Sequence, residues 1–420
     1  MRAKLNLLSA FAVGIVGGAL VSACQTYDFE PVEPLALAQT TVETVISARS
    51  SKPNLMVLLD TSGSMKLPAN PSLPDCQTSK GLCGEPATQM DCDVSKCPTR
   101  WSELQGAMST FLKDNGATAR MGLTTYPNVT GTSAAGQCGA STAVKIPIPQ
   151  LDDTDTAGLQ SSANGIANVI QGIPNSGAGS PVGGTPTSIS LNFVGSQADL
   201  QTDERQDFIL LLTDGLPNCN DKNPNSGLTN PDACQCTLSS CATPGVDRLG
   251  CLDKDISVQT VATLKDQKKI KTIVIGFGAE TASGAGPATL NAMAEAGGFA
   301  RNCEKEGSTC GANDTCDATT KLCGRRFYQA ANQAELATAL REIIELVNTN
   351  PCLLTLDPDK APSDLSLIVV YVNDEAVAAG DNTWKLTSGG VEFQGSTCDR
   401  ILASTDRNPI KVEVRAVQRK

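Results

Sequence analysis

Three continuous apolar runs decide what this chain can fold into. Residues 55–59 (Leu-Met-Val-Leu-Leu), 208–213 (Phe-Ile-Leu-Leu-Leu-Thr) and 272–277 lack the polar alternation of a strand with one wet face. Each is short and ends at turn residues, so each reads as a strand buried on both sides. Residues 121–126 add a fourth strand, 143–148 its hairpin neighbour, and 326–329 an edge strand. Between them the apolar residues recur at helical spacing. Leu104, Met108, Phe111 and Leu112 mark a helix over 101–114, and Leu336, Leu340, Ile343, Ile344 and Val347 one over 334–347. Further helices are read over 158–170, 187–194, 256–268 and 287–296, the last opening with proline as helices often do. Strands and helices in alternation predict an α/β fold: a doubly wound, mostly parallel sheet with helices on both faces. Sheets of this kind bind ligands beyond the carboxyl ends of their strands.

That edge is where the polar signals sit. Asp60-Thr61-Ser62-Gly63-Ser64 follows the first run directly. It offers a carboxylate and two hydroxyls on one tight loop, a donor set suited to a hard divalent cation such as Mg²⁺ or Mn²⁺, with Ca²⁺ also possible. Gly183-Gly184-Thr185-Pro186-Thr187 reads as a flexible loop opening into a helix. Thr213-Asp214-Gly215 ends the second run. Taken singly, the first is also a helix N-cap with a turn and the last a common strand-end turn.

In order, the three segments resemble the metal-ion-dependent adhesion site of von Willebrand factor type A (vWA) domains, the family that includes integrin I domains. The resemblance covers about residues 54–347 and places Asp60, Ser62, Ser64, Thr185 and Asp214 on the metal. It implies that the two serines and Thr185 ligate directly, that the two aspartates act mostly through water, and that one position stays open for a partner's carboxylate. It also implies that ligation is coupled to a shift of the last helix, here 334–347.

Composition narrows the chemistry. The 420 residues contain no histidine, which removes Ser-His-Asp and Cys-His catalysis, His-ligated zinc and imidazole acid–base work. The net charge of −11 repels nucleic acid and anionic lipid headgroups. Neither a nucleophile elbow nor a Gly-x-Gly-x-x-Gly loop occurs. Asp152, Asp153 and Asp155 read as a solvated loop, with a calcium site there as the alternative.

The amino terminus reads as a sorting signal. Arg2 and Lys4 precede an apolar stretch over 5–21, and Val21-Ser22-Ala23-Cys24 resembles a bacterial lipobox. Residues 1–23 would be removed and Cys24 lipidated, with ordinary secretion as the alternative. Gln25 in place of an acid favours the outer membrane, where the acyl chains would anchor the protein.

Of the 17 cysteines, 16 remain beyond Cys24, an even number that fits an exported disulfide protein. Cys76, Cys83, Cys92, Cys97 and Cys138 form one group of five, and Cys219, Cys234, Cys236, Cys241 and Cys251 another, so at least one bridge must leave each group. Cys303, Cys310, Cys316 and Cys323 read as a small knotted loop, and Cys352 and Cys398 as a pair. No Cys-x-x-Cys occurs, which weakens zinc and redox readings.

The expected organisation is a leader (1–23), a lipidated linker with a strand over 35–47 (24–53), a vWA domain (54–350) and a C-terminal β region (351–420). Cysteine-rich insertions are expected at 66–100, 215–253 and 301–324. Strand composition over 365–372, 383–386, 391–393 and 410–417 predicts that both flanks join in one small β module. The layout is similar to that of adhesin lipoproteins of surface-gliding bacteria. The resemblance implies a non-enzymatic, surface-exposed adhesion lipoprotein of the outer membrane. It would bind an acidic protein ligand or the extracellular substratum and work with motility or envelope machinery. A periplasm-facing scaffold lipoprotein and a metal-assisted hydrolase are the competing readings.

Overall fold

The computed structural model describes residues 44–47, 52–201, 205–219, 250–282, 284–303, 310–311, 314–347, 352–355, 368–387, 390–402 and 410–416. The leader, Cys24, Gln25, most of the 35–47 strand, and Cys234, Cys236 and Cys241 lie outside them. Among the described residues no helix is long and apolar enough to cross a membrane.

The elements follow the expected alternation. After β1 (Thr44–Ser47) come β2 (Asn54–Asp60), α1 (Arg100–Asn115), β3 (Arg120–Tyr126), α2 (Thr156–Gly172), α3 (Thr187–Gly195), β4 (Asp207–Thr213), α4 (Lys254–Lys268), β5 (Ile270–Phe277), α5 (Gly286–Ala296), β6 (Tyr328–Ala330) and α6 (Gln333–Val347). The central sheet runs β3-β2-β4-β5-β6 and is parallel throughout. Because successive side chains on a strand point to opposite faces, the apolar runs feed two cores. Leu55, Val57, Leu59, Leu210, Leu212 and Ile273 face α1, α2 and α6; Met56, Leu58, Ile209, Leu211 and Val274 face α3, α4 and α5. Truncating a fully buried residue such as Leu210 to Ala would cost about 2–5 kcal/mol.

Several helix ends explain themselves. A capping box between Thr99 and Ser102 starts α1, and Asp155 caps α2 by accepting the Gly158 N–H. Gln105 donates to the carbonyls of Ile170 and Ile173, closing the C-terminal end of α2 against α1.

Some expectations need correction. Residues 143–148 do not form a full strand; they touch β3 through a single antiparallel bridge, Leu123 to Ile146. The edge strand is shifted to 328–330. Asp153 is not solvated, because Arg120 and Arg205 pair with its carboxylate, which leaves little of it exposed. Asp152 is spent on Thr154.

The flanks meet as expected, though in two sheets. β1 pairs with the last strand, Lys411–Ala416, in a four-stranded antiparallel sheet that also holds Ile368–Val372 and Glu375–Val377. Leu353–Thr355, Trp384–Thr387 and Gly390–Phe393 form a three-stranded sheet. Both share a core that includes Val370, Val372, Val391, Phe393 and Val412. A helix, Gly395–Leu402, interrupts what the sequence presents as strands alone.

Disulfides hold the insertions. Cys76–Cys97 encloses Cys83–Cys92, and Cys303–Cys316 interleaves with Cys310–Cys323. Cys352 pairs with Cys398. Cys138–Cys219 is the expected bridge between the two groups of five.

Candidate metal centre

The register of the sheet builds the site. Asp60 is the last residue of β2 and lies beside Tyr126 of β3; Leu59 pairs with Leu212 of β4, so Thr213 and Asp214 emerge next to Asp60 at the same edge. Both aspartates are completely buried. Asp60 Oδ1 accepts the Ser62 backbone N–H at 2.8 Å, and Asp60 Oδ2 accepts the Thr213 hydroxyl at 2.7 Å. The Ser62 and Ser64 hydroxyls lie 3.0 Å apart, and Ser64 Oγ donates to Asp214 Oδ1 at 2.9 Å. Ser62, Ser64 and Asp214 thus form one hydrogen-bonded chain of oxygens, with Asp60 bracing the loop from below.

The Thr185 loop lies against this chain. Gly63 N–H donates to Gly183 O and Val182 N–H to Thr61 O. The loop is not the flexible element its glycines suggest. Gly183 has a φ of 96°, and a Cβ there would come within 2.9 Å of Val129, Pro127 and the Gln137 carbonyl. Asn218 grips Thr185 from the far side, accepting its N–H at 2.7 Å and donating its own N–H to the Thr185 carbonyl. Gly184 N–H meets Gln137 O on the near side. The Cys138–Cys219 disulfide joins the two segments that hold the loop. Four of the five predicted residues are linked through hydrogen bonds, and the fifth, Thr185, is buried on the loop packed against them.

Electrostatics set the site apart. Burial, and then the Asp214 charge, push the Asp60 carboxyl from 3.8 to about 7. Burial likewise drives the Tyr126 phenol well above its usual range, with Asp60 adding to the effect. Among the described residues one cation is paired at the site: Arg100 Nη1 lies 2.7 Å from Asp214 Oδ2, with both side chains buried. Asp214 therefore has a guanidinium partner, whereas Asp60 is held by amide and hydroxyl donors. The donor set is all oxygen, mostly hydroxyl, and it fits a hard divalent cation.

Arg100 and Tyr126 were not singled out from sequence. Arg100 did leave a signal. It opens α1, where the helix dipole disfavours a cation, so an arginine there calls for a nearby acid. Tyr126 had no comparable signal.

No family model and no curated protein sequence matches the chain. Solved structures do resemble it, distantly. The pilus adhesin SpaC from Lactobacillus rhamnosus GG superposes with a TM-score of 0.39 at 13% identity, over 88% of this chain and 40% of that one. The PilB minor pilin from Streptococcus sanguinis gives 0.38 at 17%, over 71% and 62%. Proximal thread matrix protein 1 from the mussel byssus, whose structure has a zinc-occupied MIDAS motif, gives 0.34 at 12%, over 71% and 49%. The chain thus spans less than two thirds of each of these proteins.

Proposed function

We propose that the carboxyl edge of the sheet is a divalent-cation site, for Mg²⁺ or Mn²⁺ with Ca²⁺ as the alternative, through which the protein binds an acidic ligand. The observation that carries this reading is the convergence of the buried Asp60, Ser62 and Asp214 and the half-buried Ser64 in one hydrogen-bonded oxygen cluster. Ser62, Ser64 and Thr185 are the direct ligands, and Asp60 and Asp214 shape the shell around them. A bound dication supplies an electrophilic centre for an incoming carboxylate.

The chain's residues prepare for that. Asp60 locks the loop by accepting from Ser62 and Thr213. Tyr126 and the apolar ends of the strands keep water from beneath the site. Neutral hydroxyls leave a metal more of its charge than directly bound carboxylates would, which favours an anionic partner. An ion pair formed there is strong where water is excluded.

In this reading the protein is a binding protein and not an enzyme. It is a lipid-anchored adhesin of the outer membrane, held through Cys24, serving gliding motility. β2 starts and α6 ends at the sheet edge opposite the site, and both flanks pair in one module. An anchor at the amino flank would therefore leave the metal edge facing outward. Calorimetric titration with Mn²⁺ tests the metal: one ion per chain is expected for the wild type and none for Asp60→Ala. Equal binding by both would end the reading. Surface attachment by cells carrying Asp60→Ala, at normal protein level and export, tests the adhesin.

A further inference from the structure

One buried cation, Arg100, stands beside the oxygen cluster. Arg100 sits at the first position of α1, where the positive end of the helix dipole opposes it. Its guanidinium is nevertheless drawn inward to Asp214 Oδ2 at 2.7 Å, on the side of that carboxylate away from Ser64. The backbone makes room for it. Gly278, just past β5, has a φ of 90°, and a Cβ there would stand 3.1 Å from Arg100 Nε. A slot lined by a glycine and closed by a carboxylate holds the arginine in one place.

We propose that Arg100 is a resident countercharge of the metal site, a positioning residue that fixes Asp214 and keeps the oxygen cluster assembled when no metal is bound. The inference rests on the metal reading. Two carboxylates without Arg100 would repel each other in a buried place, and the loops carrying them would part. With both carboxylates ionised, Arg100 leaves the two acids and itself at one net negative charge in place of two. The same charge makes the site a weaker trap for a dication, and the loaded site then keeps a net positive charge toward an anionic ligand. A like charge this close to a bound ion lowers its affinity by about tenfold or more at the effective dielectric of a protein site.

The test compares wild type with Arg100→Gln and Arg100→Lys by Mn²⁺ calorimetry and by melting in EDTA and in saturating Mn²⁺. Arg100→Gln is expected to bind Mn²⁺ about tenfold more tightly. It should melt lower than wild type in EDTA, with the gap closing in Mn²⁺. Arg100→Lys, which keeps the charge, should stay close to wild type in affinity. If Arg100→Gln is unfolded in EDTA, folding on addition of Mn²⁺ supports the proposal, and failure to fold in either condition overturns it. Unchanged or weaker Mn²⁺ binding by a folded Arg100→Gln also overturns it. A wild type that binds neither Mn²⁺ nor Mg²⁺ sinks the metal reading instead, a result distinct from loss of the role given to Arg100.

Discussion

The central sheet buries carboxylates at both of its ends, and the two ends treat them differently. At the amino edge, Asp153 meets Arg120 at 3.3 Å and Arg205 at 2.6 Å, and also accepts the Lys52 backbone N–H. Beside it, Asn54 donates to Asp207 at 2.8 Å. The Asp153 charge is matched by basic groups, and the two contacts tie together the starts of β2, β3 and β4. At the carboxyl edge, Arg100 meets Asp214 alone of the two acids, and Asp60 is held by the Ser62 N–H and the Thr213 hydroxyl. The first arrangement holds the fold together. Among the described residues the second gives Asp60 hydroxyl and amide donors but no basic partner, which is the difference on which the proposed metal site rests.

The largest expected effect breaks the amino-edge cluster. Asp153→Ala leaves two buried guanidiniums without their carboxylate, a loss of about 3–5 kcal/mol in urea unfolding. Mn²⁺ should restore none of it. Asp60→Ala should cost less. It removes a charge that burial disfavours but also the acceptor of the Ser62 N–H and the Thr213 hydroxyl, so the loss in EDTA at neutral pH should be smaller than that of Asp153→Ala while metal binding disappears. Equal destabilisation by both variants would erase the distinction between the two ends.

Next comes pH. Burial and Asp214 raise the folded Asp60 pKa from 3.8 to about 7. A carboxyl shifted upward in this way favours the fold while it stays protonated, and that contribution is lost as pH rises from about 4 to about 7. In EDTA, wild type should therefore lose about 2–4 kcal/mol relative to Asp60→Asn across that window. Saturating Mn²⁺ should flatten the difference at the upper end, because the ion displaces the proton. A flat difference curve in EDTA would show that Asp60 is not held in an environment poor in countercharge.

A smaller effect is expected at Asn218. Replacing it with Ala orphans the buried Thr185 N–H at a cost of about 1–3 kcal/mol. The Cys138–Cys219 bridge would still hold the neighbouring segments, so Mn²⁺ affinity should fall only several-fold. Complete loss of binding would mean that Asn218, and not the bridge, sets the Thr185 loop.

Much of this was legible in the sequence, for a physical reason. Parallel strands buried on both faces are nearly continuous apolar runs, so β2, β4 and β5 announce themselves, and the polar residues that end β2 and β4 mark the edge where ligands bind. Asp60, Ser62 and Ser64 lie within five residues and carry their own geometry. The ion pairs were not legible. Asp153 stands in an acidic, Thr-containing loop that looks solvated, and only the fold brings Arg120 and Arg205 to it. The glycines at 183–184 suggest mobility, but their lack of side chains serves close packing. The helix at 395–402 opens Gly-Ser-Thr and spans only eight residues, so its apolar side, which buries Ile401, is too short to stand out among the neighbouring strands.

The smallest effect separates the guanidinium from the helix that carries it. Thr99 and Ser102 form the capping box of α1, and Arg100 is the first helical residue, directly after the cap. Thr99→Ala removes a cap bond, a loss of about 1 kcal/mol. If the start of α1 set the place of Arg100, the same change would loosen the grip on Asp214 and alter metal binding. The arginine is held at its far end instead, by Asp214 and by the slot beside Gly278. Thr99→Ala should therefore lower stability in EDTA and in Mn²⁺ alike, with Mn²⁺ affinity within about twofold of wild type. An affinity change as large as that of Arg100→Gln would make the carboxyl edge resemble the amino edge, with its charge pair serving to anchor a helix.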